Sequence, residues 1–158
     1  MQLVGSLLLG ADEFIAQMVQ SRIPHMRDSN GFGSCVAIGV VRRGVLLGGA
    51  VFHNFRGHDI EMSAAFDRPD WCLPGTMRGL YDYPFNQLGC TRMTTITARG
   101  NKHAREIDER MGFKLEGVIR KGISPTEDAF VFGMLKSECR WIKDRSHGKI
   151  EPDAARCA

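Results

Sequence analysis

The apolar positions of the chain follow two periods, one of about 3.6 residues and one of two, and their alternation lays out the elements. At the helical period, Phe14, Ile15, Met18 and Val19 share one side of a predicted helix over residues 11–22, with Asp12 as its N-cap and Pro24 as its stop. A second helix is predicted from Pro74, a residue suited to the first helical position. Met77, Leu80, Tyr81, Phe85 and Leu88 recur along it, and Pro84 should kink it. A third follows Asn101. Ala104, Ile107 and Met111 fall on one face, and Gly112 stands where a helix ends in a left-handed cap.

The strand-like stretches lie between these helices. Residues 34–41 and 45–55 read as two strands joined by a tight turn at Arg42-Arg43-Gly44, and a third strand covers residues 58–66, so the three form an antiparallel meander. Residues 91–98, rich in Thr and Ile, read as a fourth strand, and residues 114–121 and 129–136 as a closing pair. A helix between two strands of one sheet implies a parallel neighbour pair. The expected fold is therefore α/β (α+β), with one mixed, mostly antiparallel central sheet flanked by helices. Past Glu138 the sequence turns polar, which sets a domain over residues 1–138 and a polar tail over 139–158.

With 158 residues, 43% hydrophobic and 25% charged, the chain suffices for one domain with a proper core and is too short for two. Its net charge of +3 suits an anionic small ligand as well as it suits nucleic acid. Cys35, Cys72, Cys90, Cys139 and Cys157 form an odd set without paired short spacings and without a signal peptide before them. That pattern argues against a disulfide framework or a zinc site and for a reducing cytoplasm. Leu7-Leu8-Leu9 is far short of the roughly 20 apolar residues that cross a membrane.

The stretch from Asn101 to Gly117 combines a polar helix start, an amphipathic helix, a glycine stop, a strand opening at Phe113 and a Glu116-Gly117 pair. It resembles the signature of the GNAT superfamily of acyl-CoA N-acyltransferases, in which an Asn opens the penultimate helix and the helix closes on Gly-Phe. The element order of residues 1–138 is similar to that family's as well. The segment from Trp71 to Cys90 resembles a divergent group of such proteins met in bacteriophages and prophages. The family's usual phosphate loop, an Arg or Gln followed by two residues, Gly, one residue and Gly or Ala, is absent.

The resemblance implies acetyl-CoA, or another acyl-CoA, as co-substrate, and acyl transfer to a primary amine by direct attack in a ternary complex. The amine would belong to a protein N-terminus, a lysine, a small molecule or a modified nucleobase, and a homodimer is compatible with the family. The cofactor would wedge between the third and fourth strands, at Ala65 and Phe66. Gly75, Thr76, Met77 and Arg78 would lie near its phosphates, and Asn101 near its pantetheine arm. Lys102, His103 and Arg105 are within reach of phosphates, although charges on an exposed helix are more often simply solvated.

Alternation places Asp59, Glu61 and Ser63 on one face of the third strand, and the family's register makes Asp59, then Glu61, the general base. The bland alternative is a pair of solvent-facing acids. Where many members carry a Tyr seven residues after the Asn, this chain has Asp108. An ionised Asp is a poor proton donor, which leaves Tyr81 or Tyr83 as the acid, or unassisted departure of the thiolate. His53 and His58 also titrate in a useful range. The rival expectation is a binding module that keeps the fold and engages nucleic acid or a protein through Arg42, Arg43, Arg56 and Arg68.

Overall fold

The computed structural model describes residues 1–142. Its elements are β1 (Gln2–Val4), β2 (Leu7–Leu9), α1 (Asp12–Arg22), β3 (Cys35–Arg42), β4 (Val45–His53), β5 (Asp59–Phe66), α2 (Pro74–Asp82), β6 (Arg92–Ala98), α3 (Lys102–Met111), β7 (Lys114–Ser124) and β8 (Glu127–Leu135). The eight strands form one sheet in the order β1-β2-β3-β4-β5-β6-β8-β7. Every neighbouring pair is antiparallel except β5 and β6, which run parallel because α2 carries the chain back between them.

The predicted meander is present, closed at its first turn by Arg43 (φ 50°) and Gly44 (φ 75°), two successive left-handed residues in a two-residue hairpin loop. On one face of the sheet, Ile15 and Val19 of α1 pack on Ala37 and Val51. The helix approaches closely because Gly39 and Gly49 are paired beneath it, and a Cβ on Gly49 would come within 2.6 Å of Ile15 Cγ2. This rotation turns Phe14 outward, 60% exposed, against the expectation that it joins the core. Asp12 is the first helical residue rather than the cap. Its carboxylate accepts the N–H of Ala37 at 2.7 Å and so ties α1 to β3.

The larger core lies on the other face, where Ile60, Met62, Met93, Phe132 and Met134 meet Met77, Leu80, Tyr81 and Phe85 of the α2 segment and Met111 of α3. At Pro84 the helix widens into a π turn over Tyr83–Gln87, in which Leu88 N–H reaches back to Tyr83 O at 2.9 Å. The third helix matches its prediction closely. Asn101 Oδ1 accepts Ala104 N–H at 3.1 Å, and Gly112 (φ 107°) ends it with Phe113 N–H bonded to Asp108 O at 3.0 Å.

Three features depart from the sequence reading. The hairpin β1–β2 has strands of three residues each, too short for a periodic signal, yet Leu7 and Leu9 pack on the main core. The packed unit also runs past residue 138. Cys139 is fully buried and Trp141 Nε1 donates to Met111 O at 2.9 Å, while residues 143–158 of the expected tail lie outside the described residues. Finally, Cys35 and Cys90 are free thiols, whereas Cys72 is disulfide-bonded, a bond that the sequence argument against a disulfide framework did not anticipate. No helix among the described residues is long and apolar enough to cross a membrane.

Candidate active site

The parallel pair is short. Asp59 faces Arg92, Ile60 faces Met93 and Glu61 faces Thr94, and there the ladder between β5 and β6 stops. Beyond it β5 keeps its pairing with β4 as far as Phe66, and β6 keeps its pairing with β8 as far as Ala98. The two strands therefore part inside the sheet and present edge backbone to each other. Ala64, in the middle of β5 and on the side where α2 and α3 pack, is exposed, which marks the opening. Because each parted strand leads into a helix, the N-termini of α2 and α3 both follow the open end of this cleft.

Along the face that carries α1, charged side chains converge at the closed end of the cleft. Arg56 bonds Asp59 Oδ2 at 2.7 Å and Glu61 Oε1 at 2.9 Å, while Arg92 bonds Glu116 Oε2 at 2.7 Å and lies 3.5 Å from Asp59 Oδ1. Thr94 donates to Asp59 at 3.0 Å. Three carboxylates against two guanidiniums leave one net negative charge. Glu116 reaches this cluster because it sits in a bulge of β7 and lies across Gly133, where a side chain would collide with its carboxylate.

Asp59 and Glu61 share this face, as alternation predicts, but their environments differ. Asp59 is 7% exposed and both of its oxygens are held by Arg56, Arg92 and Thr94, the setting of an ion-pair hub. Glu61 is bonded by Arg56 and by Asn54 at 3.1 Å and lies 4.0 Å from His53 Nδ1. Thr94, Arg92, Glu116 and Asn54 were missed in the sequence reading, because nothing local to them tells which strands become neighbours.

The structure does not bring the predicted tyrosines to this cluster. Tyr81 is fully buried between Phe85, Phe113 and Trp141, its hydroxyl has no hydrogen-bond partner, and burial pushes its phenol well above the usual range. Tyr83 packs on Phe52, ring centroids 5.1 Å apart, on the same α2 side. Asp108 corrects the premise about proton donation. It accepts a 2.7 Å hydrogen bond from Thr97, a residue of the parted stretch of β6, and burial raises its carboxyl to about 7, so it is not simply ionised at neutral pH.

The predicted cofactor residues separate into three groups. Ala65 and Phe66 lie on the parted stretch of β5, with Phe66 stacked on Trp71 at 3.9 Å. Asn101 and Arg105 lie at the start of α3. The Arg105 guanidinium covers the Phe130 ring at 5.2 Å, and its Nε is buried without a partner. Gly75, Thr76 and Arg78 instead line a cavity of about 750 Å³ between α2 and the β1–β2 hairpin, with Tyr83 on the same wall, and the Thr76 hydroxyl is bonded to Ser6 at 2.7 Å. Met77 points into the core with no exposed surface and cannot offer its side chain to a ligand.

No family model matches the sequence, and no curated protein does either. Solved structures do. A probable acetyltransferase aligns with 25% identity and a TM-score of 0.58 over 67% of this chain and 64% of its own. A GCN5-related N-acetyltransferase from Brucella melitensis aligns with 17% identity and a TM-score of 0.62, covering 86% of this chain and 78% of its own. An acetyltransferase of the GNAT family from Bacillus anthracis aligns with 18% identity and a TM-score of 0.60, covering 86% and 98%. The chain spans 64% of the first of these and 61% of a further structure, a T. thermophilus protein. One mostly antiparallel eight-stranded sheet with three helices is, in this chain, the fold of the GNAT acetyltransferases.

Proposed function

We propose that the protein is an acyl-CoA-dependent N-acyltransferase that moves an acetyl group from acetyl-CoA to a primary amine by direct attack in a ternary complex. The observation that carries this reading is the parting of β5 and β6 after Glu61 and Thr94 beside a net negative cluster. The parted edges offer unpaired backbone groups to an extended pantetheine arm, as a sheet edge accepts an added strand. Past the open end, the N-termini of α2 and α3, with Arg105 stacked on Phe130, favour the anionic end of the cofactor. A structural neighbour, RimJ from Mycobacterium smegmatis, was solved with CoA-disulfide, which supports the choice of cofactor.

The acceptor approaches from the α1 face, where the net negative charge draws a cationic amine. After the ammonium has lost one proton to solvent, the neutral amine nitrogen attacks the thioester carbon, backbone N–H groups at the head of the cleft stabilise the oxyanion, and the C–S bond breaks as the nitrogen gives up its second proton. Asp108, buried beside the parted stretch of β6, supplies the departing thiolate with a proton in its protonated form. A nucleic-acid binding surface has less support, because Arg56 is spent on Asp59 and Glu61, and Arg68 on Asp70 at 2.6 Å.

The test is thiol release from acetyl-CoA with a panel of amines: peptides with free N-termini, lysine peptides, polyamines and aminated nucleosides. Amine-dependent release supports the reading, and cofactor binding without release for any acceptor class contradicts it.

A further inference from the structure

Three side chains on the α1 face line up across two strands. Ser63 Oγ lies 3.0 Å from His53 Nε2, and His53 Nδ1 lies 4.0 Å from Glu61 Oε2. Strand register makes the arrangement: His53 of β4 stands opposite Glu61 of β5, and Ser63 follows two residues along, so all three project to one side. Phe32 covers the imidazole, ring centroids 4.9 Å apart, and His53 is buried while Ser63 keeps part of its surface open. Glu61 is the last residue of β5 paired to β6. Ser63 is therefore the first residue on this face beyond the point of parting, at the head of the cleft.

We propose that His53 accepts the proton of the acceptor amine through the Ser63 hydroxyl, with Glu61 facing the imidazolium that forms. The proposal rests on the acyl-transfer reading of the cleft. The amine lone pair forms the N–C bond, and the thiolate leaves with the electron pair of the C–S bond. The proton released by nitrogen passes to Ser63 Oγ while Ser63 gives its own to His53 Nε2, so serine ends the step neutral and the imidazole cationic. The carboxylates are less suited to this task, since Asp59 is held by two arginines and Thr94, and Glu61 by Arg56 and Asn54. Around the imidazole stand Glu61, which favours its cation, Arg56, which opposes it, Asn54, and the Cys35 thiol opposite on β3. Burial is the largest influence and lowers its pKa, which keeps His53 in the neutral, proton-accepting form at neutral pH.

The test compares Ser63→Ala, Ser63→Thr, His53→Gln and Glu61→Gln in the full chain, with kcat and KM followed from acid to alkaline pH and intact mass recorded after acetyl-CoA is added. Ser63→Ala and His53→Gln are expected to lower kcat by about 10²-fold or more with KM for acetyl-CoA nearly unchanged, and Ser63→Thr to restore most of the rate. Glu61→Gln is expected to move the acidic limb of the rate profile to lower pH and leave it present. If His53→Gln does not fold, the serine pair and the Glu61 limb decide. Wild-type kcat and pH profile in Ser63→Ala, loss of the limb in Glu61→Gln, or a stable acetyl adduct on Ser63 would each overturn the relay. A wild-type chain that binds acetyl-CoA but releases no thiol with any amine overturns the acyl-transfer reading, and the relay with it.

Discussion

Thr97 donates a 2.7 Å hydrogen bond to Asp108, and the two are buried together between β6 and α3. The bond favours the carboxylate, but burial outweighs it and the carboxyl is raised from 3.8 to about 7. The native state thus holds a proton that the unfolded chain gives up at lower pH. Its stabilising contribution is complete below the unfolded value and is lost as pH rises through about 7. A shift of that size corresponds to a loss on the order of 4 kcal/mol. Asp108→Asn should therefore raise the melting temperature at alkaline pH and change it little in acid. Melting curves across this range check it, and a variant that tracks wild type at every pH would contradict the burial assignment.

Replacement of Gly112 by Val should cost about 1–2 kcal/mol, because a β-branched residue at positive φ is strained. A Cβ there would meet Met134 Cε at 3.5 Å, an ordinary contact, so the cost is one of backbone and not of packing. Thermal unfolding should show a drop of roughly 2–8 °C. Gly112→Asn, which tolerates left-handed backbone better, should recover part of it.

Asp59 and Glu61 are two residues apart on the same face and should behave differently when neutralised. Asp59→Asn removes the shared partner of Arg56, Arg92 and Thr94, and should destabilise by about 1–3 kcal/mol in denaturant unfolding. Glu61→Gln retains the hub and should unfold near the wild-type midpoint. Equal midpoints for both variants would show that Asp59 is not the structural member of the pair.

Arg105 presents a buried, partnerless Nε and a guanidinium over Phe130. If it meets the cofactor phosphates, Arg105→Ala should weaken acetyl-CoA binding about tenfold, and Arg105→Lys should fail to restore it, because an ammonium cannot reproduce the stacked plane. Titration calorimetry checks both, and full affinity in Arg105→Ala would remove Arg105 from the site.

Much of this fold was legible because its signals are local. Asn101, Ala104, Ile107, Met111 and Gly112 specify a helix with both ends within twelve residues, and the structure has that helix. The meander was legible through its turn and its alternation. The β1–β2 hairpin was not, since three-residue strands carry no period and gain their place from packing of Leu7 and Leu9 on the core. Phe14 misled because its period matches its neighbours, and only the glycine pair Gly39 and Gly49 sets how α1 is rotated. In the site, alternation placed Asp59, Glu61 and Ser63 together. The partners that distinguish them, Arg92, Thr94, Glu116 and His53, arrive from other strands whose adjacency no single stretch reveals.

The central claim is that the cleft between the parted strands holds acetyl-CoA, and Ala64 permits the most direct test because it is exposed in the middle of the parted stretch of β5. Acetyl-CoA titrated calorimetrically into wild type and Ala64→Trp should bind wild type, and should lose about tenfold or more in affinity to the variant while the melting temperature stays near wild type. Absence of binding to wild type, or equal affinity in a folded Ala64→Trp, would contradict it.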